Sequence, residues 1–237
     1  MLRFLVFQHM PWEGPGSHLL RAAKKQRVRL DIAELWHKPI PDIDPYNGVI
    51  VLGGAPNVNE EQKYPFLKSE KEAIQHILKK DKAYLGFCLG HQLLADALKA
   101  QVGPNFCTSI GFAEGRLTKE GRVHPMFHNI SQCLPLFKWH TQAVIPPLPK
   151  EVYILATSQD CQVEAISVQD RPHLVGMQFD NHAAAISDVK TWIAGDQKLL
   201  SSKGIDGSNL LQSTAELESL IGAQFDIMFE NYIRIIS

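Results

Sequence analysis

This 237-residue chain has only four cysteines, Cys88, Cys107, Cys133 and Cys161, and none lies two residues from another. The spacing excludes a Cys-x-x-Cys metal or redox motif and gives no basis for a disulfide framework, so a reducing cytoplasm is the expected setting. The formal charge is −1, and no basic or acidic block stands out. Nucleic acid is therefore not an expected partner, and no tail reads as disordered. Long apolar runs are also missing. The opening segment Leu2-Arg3-Phe4-Leu5-Val6-Phe7 is too short for a signal-peptide core, and nothing approaches the length of a bilayer span, so no membrane partner is expected. No internal repeat or low-complexity linker divides the chain.

Short apolar runs alternate with amphipathic segments through the first half. Strands are predicted at Leu2–Phe7, Val28–Ala33, Gly48–Leu52 and Ala83–Phe87. Helices are predicted near 18–25, 66–80 and 92–100. Continuous apolar strands separated by such helices indicate a parallel sheet covered on both faces. The second half is richer in strand-like runs, at 111–117, 136–139, 153–157, 163–168 and 174–179. Several of these are expected to form a small antiparallel extension beside the main sheet. A helix over 183–193 follows. The spacing of Leu210, Leu211, Leu217, Leu220, Ile221, Phe225, Met228 and Phe229 predicts a C-terminal helix within 208–235 packed on the body, with an oligomer contact as the alternative. The expected class is α/β, a flavodoxin-like three-layer domain spanning 1–237 with a C-terminal helical extension from about 205. Ligands of such sheets bind beyond the carboxyl ends of the strands, where Gly53-Gly54, Cys88 and the residues after Phe179 all fall.

The most informative stretch is Tyr84-Leu85-Gly86-Phe87-Cys88-Leu89-Gly90-His91-Gln92. An apolar strand ends in Gly-x-Cys-x-Gly, and a helical pattern follows at once. This is the pattern of a nucleophile elbow with sulfur in place of a serine hydroxyl. The glycines make room for a tight turn, and the helix N-terminus favours a thiolate. A buried structural cysteine is the alternative reading, and the two glycines weigh against it. The other three cysteines lack such flanks and read as small apolar residues. The His124/His128 pair has helical metal-ligand spacing but no carboxylate beside it, and no metal is expected. The Gly14-Pro15-Gly16-Ser17 stretch reads as a loop over the site and not as a phosphate cradle. Trp12 and Trp139 are candidates for the cleft wall.

The segment Gly86-Phe87-Cys88-Leu89-Gly90-His91-Gln92-Leu93-Leu94-Ala95 resembles the nucleophile motif of class I, triad-type glutamine amidotransferases, especially stand-alone GMP synthase-like domains. Leu52-Gly53-Gly54-Ala55-Pro56 resembles that family's glycine-rich oxyanion strand. Trp139-His140, with Pro146-Pro147-Leu148-Pro149 and Leu155-Ala156-Thr157-Ser158, resembles the block lining the substrate side. Val175-Gly176-Met177-Gln178-Phe179 resembles the strand that leads to the catalytic histidine. Together the matches cover about residues 1–195. The resemblance implies that Cys88 attacks the side-chain amide of glutamine. It implies an oxyanion hole from the backbone N–H groups of Leu89 and Gly54 (the register at Gly54-Ala55 is open by one residue). It also implies a substrate side formed by Gly53, Gln92 and His140. No cofactor is implied.

The family's His-x-Glu after Gln-Phe is here Asp180-Asn181-His182. An ionised Asp180 in the histidine slot would raise the Cys88 thiol pKa and could not protonate departing ammonia. Three functions remain open. In the first, His182 reaches Cys88 and Asp180 orients it, although residues two apart do not readily trade places and a misplacement of about 1 Å can cost on the order of a hundredfold. In the second, the cleft is a silent glutamine-like ligand-binding or regulatory module. In the third, the protein hydrolyses γ-glutamyl peptides. The expected partners are glutamine or a γ-glutamyl compound and, for the amidotransferase, a separate ammonia-accepting synthetase.

Overall fold

The computed structural model describes residues 1–237. Strand β1 (Arg3–Gln8), with five of its six residues buried, leads through a loop to helix α1 (Ser17–Lys25) and strand β2 (Arg29–Glu34). Strand β3 (Gly48–Val51) is fully buried, as its unbroken apolar run requires. Helix α2 (Phe66–Lys79) returns the chain to β4 (Ala83–Phe87), again fully buried, and α3 (Leu89–Ala97) follows directly. The sequence pattern placed the start of α3 at Gln92. The structure starts it three residues earlier, because Gly90 can lie flat against β3, where a Cβ would run into the Val51 carbonyl.

Strands β5 (Gln101–Leu117) and β6 (Cys133–Ile145) form a long antiparallel pair, connected through α4 (Lys119–Val123) and a short 3-10 turn at Pro125–Phe127. Strands β7 (Val152–Ser158), β8 (Ala165–Val168) and β9 (Arg171–Met177) complete the sheet. Its order is β2-β1-β3-β4-β9-β8-β7-β5-β6. The β2-β1-β3-β4-β9 part is parallel, and the remaining pairings are antiparallel. The flavodoxin-like arrangement is therefore present. Its antiparallel extension holds four strands, and β5 and β6 are much longer than their apolar segments indicated.

After a 3-10 turn at Asn181–Ala183, α5 (Ile186–Gly195), α6 (Gln197–Lys203) and the 29-residue α7 (Gly207–Ile235) close the chain. Phe225, Met228, Phe229 and Tyr232 of α7 join the same buried cluster as Phe4, Ile50 and Phe87, so this helix packs on the body as expected. The Phe225 ring lies 6.1 Å from the Phe87 ring, directly behind the residue that precedes Cys88. No helix is long and apolar enough to cross a membrane.

Candidate functional site

The carboxyl ends of β1, β3, β4 and β9 converge on one cleft of about 330 Å³, lined by Glu13, Gly54, Cys88, Leu89, Gln92 and His140 among others. Cys88 stands between β4 and α3 with φ +46° and ψ −103°. A left-handed φ is strained for any residue with a side chain, and such strain collects at functional turns. The turn is held from three sides. Cys88 N–H donates to the Met177 carbonyl at 2.8 Å, Gly90 N–H to the Leu52 carbonyl at 3.2 Å, and Gln92 N–H to the Cys88 carbonyl at 3.1 Å. The elbow expected from Gly86-x-Cys88-x-Gly90 is thus formed between β3, β4 and β9.

The sulfur lies in an unusual environment. Its thiol donates to the Trp139 carbonyl at 3.8 Å. Burial, then the neighbouring carboxyls of Asp180 and Glu13, which would repel a thiolate if they ionised, push its pKa well up, against the opposing pull of the Leu89 N–H and the Gln178 side chain. Cys88 is therefore a thiol at neutral pH. Gly53 is the hub of this arrangement. A Cβ built on it would stand 3.2 Å from Glu13 Oε2, 3.4 Å from Asp180 Oδ1 and 3.4 Å from Cys88 Cβ.

Burial works against the ionised Asp180 expected from the sequence. Asp180 is fully buried, and neither carboxylate oxygen has a hydrogen-bond partner. Burial, followed by the nearby Glu13 and Glu164, raises its pKa well above the usual carboxylate range and so favours its protonated form. Glu13 behaves alike. It is 5% exposed, and burial and Asp196 raise its pKa to about 8, although His9 opposes the shift.

The structure does not bring His182 to the sulfur. Its ring stacks on Phe87 at 4.2 Å between centroids and meets Trp192 edge-on. Both ring nitrogens lack hydrogen bonds, and Nδ1 is 3.9 Å from Asp180 Oδ1. Burial, with the nearby His18, drops its pKa to about 3, leaving a neutral ring. The reason is the anchoring of the turn after β9. Asp180 N–H donates to the Phe137 carbonyl at 2.7 Å. Asn181 accepts from Phe137 N–H through Oδ1 at 2.7 Å and donates to the Pro135 carbonyl at 2.9 Å. With 180 and 181 pinned to β6, 182 faces the core and cannot exchange places with 180.

Of the expected substrate-side residues, Gln92 and His140 line the cleft, and Gly53 lies behind it beside Cys88. Gln92 Nε2 donates to the Gln142 carbonyl and to Gln178 Oε1, both at 3.1 Å. His140 Nδ1 donates to the Gln142 carbonyl at 2.9 Å, while Nε2 is buried without a partner. Burial, with Lys138 nearby, lowers the His140 pKa to about 3. Trp139 lines the cleft and donates through Nε1 to Asp196 at 2.8 Å, whereas Trp12 packs against Gly195 outside it. His173, at the opposite end of β9, pairs with Asp81.

The ligand atoms of His140, Cys161 and Glu164 lie within 4.8 Å of one another. The Lys138 ammonium, bonded to Glu164 and to Asp160 at 2.6 Å, already supplies the positive charge there. The group is therefore a buried ion-pair network. His124 bonds Ser167 at 3.1 Å and His128 is exposed, so these two histidines do not form a pair of ligands.

Three residues at or behind the cleft were not singled out from the sequence. Glu13 sits in the loop after β1, a position that the carboxyl-end rule for parallel sheets marks in advance. Gln178 lay inside a quoted segment, but its inward side chain depends on the β8–β9 pairing. His9, held by Glu70, carries no local signature, since the two meet only when β1 and α2 pack.

Comparisons place this geometry among known proteins. The family model for glutamine amidotransferase class-I matches residues 17–182. One subunit of a glutamine-hydrolysing GMP synthase from Sulfurisphaera tokodaii is 30% identical over 142 residues, 60% of this chain and 70% of that one. The counterpart from Methanothermobacter thermautotrophicus is 29% identical over 147 residues, 59% and 72% of the two chains. A crystal structure of a glutamine amidotransferase from Thermotoga maritima superposes with a TM-score of 0.87 at 27% identity, covering 100% of this chain and 98% of that one.

Proposed function

Because the chain belongs to the class I glutamine amidotransferase family, we propose that its cleft receives the side-chain amide of glutamine or another γ-glutamyl compound and that Cys88 attacks it. The sulfur adds to the amide carbon, the C–N bond breaks, ammonia or an amine leaves, and water hydrolyses the γ-glutamyl thioester. The observation that carries this reading is the strained elbow. Cys88 is held at φ +46° at the N-terminus of α3, opening onto a cleft that Leu89 and Gly54 also line. Leu89 and Gly54 are the proposed oxyanion donors, and Gly53, Gln92 and His140 form the substrate side.

Turnover is slow in this reading. No imidazole contacts the sulfur, and burial with two carboxyl neighbours keeps it a thiol. The proton that leaves with the amine is the thiol's own: a protonated Asp180 or Glu13 gives its proton to the departing nitrogen and takes the Cys88 thiol proton in exchange. Ammonia released here passes to a separate synthetase, the arrangement suggested by relatives that are each named as one subunit of a GMP synthase. The four free cysteines suit a reducing cytoplasm.

The missing imidazole also favours a second reading, a ligand-binding or regulatory module without amidase activity. The experiment is glutamine hydrolysis by the purified protein beside Cys88→Ala, with a chloroketone analogue of glutamine as active-site label and γ-glutamyl peptides as alternative substrates. Turnover and labelling that vanish in Cys88→Ala support the hydrolase, and faster cleavage of the peptides assigns it to them. Retained glutamine binding without turnover or labelling supports the silent module.

A further inference from the structure

His9 and Glu70 form a buried pair behind the cleft that the proposed chemistry does not use. His9 is 1% exposed and Glu70 is fully buried. His9 Nε2 lies 2.8 Å from Glu70 Oε1, and His9 Nδ1 lies 2.8 Å from the Gly53 carbonyl oxygen. The ring stacks on Phe66 at 5.9 Å. A carbonyl oxygen can only accept, so Nδ1 carries a proton and donates it to Gly53, while Nε2 pairs with the Glu70 carboxyl. Burial opposes a charge on the ring, but Glu70 and the Gly53 carbonyl outweigh it and the pKa is raised. The ionisable groups facing His9 are Glu70 from α2 and Glu13 from the loop after β1, and Tyr84 of β4 faces Glu70.

A trans peptide points its C=O and the following N–H in opposite directions. Holding the Gly53 oxygen on the His9 side therefore turns the Gly54 N–H to the other side. That N–H makes no backbone hydrogen bond, and Gly54 lines the cleft. The site also explains why residue 54 has no side chain, because a Cβ there would stand 2.8 Å from His9 Cβ and displace the ring.

We propose that His9, fixed by Glu70, is a positioning residue that sets the Gly53–Gly54 peptide so that the Gly54 N–H serves the oxyanion hole. This inference rests on the amidotransferase reading of the cleft. His9 touches no substrate and acts only through the peptide it holds. An oxyanion donor matters when sulfur adds to a carbonyl and is irrelevant when sulfur displaces a halide without that addition, and this difference supplies the test.

Cys88 labelling is measured with the chloroketone analogue of glutamine, where sulfur first adds to the carbonyl to give an oxyanion and chloride then leaves as sulfur bonds the adjacent methylene, and with iodoacetamide, where sulfur displaces iodide directly and no oxyanion forms. Proteins compared are the wild type, His9→Ala, His9→Asn and Glu70→Gln. Losing one oxyanion donor costs about 100-fold or more, so a misaimed one is expected to lower the His9→Ala chloroketone rate by roughly 10- to 100-fold. Iodoacetamide labelling stays near the wild-type rate. Asparagine carries an N–H donor at the ring position of Nδ1, and His9→Asn recovers most of the loss. Glu70→Gln removes the counter-charge and lowers the His9 pKa. A neutral His9 still donates through Nδ1, so the Glu70→Gln chloroketone rate falls only through looser seating of the ring, by less than in His9→Ala, with no matching change for iodoacetamide.

Equal losses with both reagents, or a His9→Ala protein labelled normally by the chloroketone, overturn the inference alone. Should His9→Ala fail to fold, His9→Asn and Glu70→Gln decide it by the same comparison. A wild type that reacts with iodoacetamide and not with the chloroketone overturns the amidotransferase reading, and this inference with it.

Discussion

Glu13 and Asp180 set the chemistry of the cleft at the scale of single residues. Each is a carboxyl that folding removes from water without a hydrogen-bonded cation. Glu13 has a folded-state pKa of about 8, against 4.5 for an unperturbed glutamate. Between those values the unfolded chain gives up the proton while the folded chain keeps it, so folding takes up a proton and stability falls as pH rises. Glu13→Gln removes that cost. Its melting temperature should match the wild type near pH 4 and exceed it progressively up to pH 8, where the gain is on the order of a few kcal/mol. A gain that does not change with pH would place the Glu13 carboxyl in contact with water. Asp180→His puts a base where a buried carboxyl stands. It should raise the rate of Cys88 alkylation at pH 7 by about tenfold or more, with the Cys88→Ala protein as blank. An unchanged rate would mean that the defect is not confined to this position. The elbow cysteine was legible because its signal is local, two glycines beside a strand end. The raised pKa of Asp180 was not, because it depends on burial by β6 and the loop after β1, segments far from it in the chain.

At the scale of elements, the elbow depends on what lies behind it. Phe87 precedes Cys88 and packs between the His182 ring on one side and Phe225 of α7 on the other. Phe225→Ala should lower unfolding stability by about 3–5 kcal/mol, the usual cost of emptying a buried aromatic site. It should also make Cys88 more accessible to thiol reagents under native conditions. Denaturant melts and alkylation rates measure the two effects separately, and a stability loss below about 1 kcal/mol would show that the helix repacks without it. Helix periodicity identified α7 to within one residue of its ends, and the first four strands were legible as apolar runs. Strand β5 was half missed. Residues 101–110 are mostly exposed or half-buried and include Gly103 and Pro104, so no apolar pattern announces them. Only pairing with β6 makes them a strand, and the register shifts between Pro104 and Ser109.

On the scale of the whole molecule, the two halves of the sheet meet where β9 lies between β4 and β8. The buried Lys138 of β6 ties this region together by reaching Asp160 and Ser158 at the end of β7 and Glu164 before β8. Lys138→Met strands the fully buried Glu164 and is expected to cost about 3–5 kcal/mol at neutral pH. The loss should shrink in mild acid, since Glu164, its pKa already raised by burial, then takes a proton. Urea melts at pH 7 and pH 5 check this, and a loss independent of pH would mean that packing, not charge, dominates. Nothing in the sequence announces this network, because its members come from separate segments and look individually like solvated charges.

The adjacency of β4 and β9 has a kinetic consequence. Tyr84 is paired with Leu174, so this contact closes a loop of about 90 residues, whereas β1, β2, β3 and β4 assemble through nearby crossovers. Closing a long loop is entropically costly and comes late. In refolding, the β1–β4 half should gain protection from hydrogen exchange first, and the Cys88 amide, bonded to Met177 across that junction, should gain it with the slow phase. A chain caught between the two phases would have its nucleophile strand in place and its sulfur still open to any oxidant in solution.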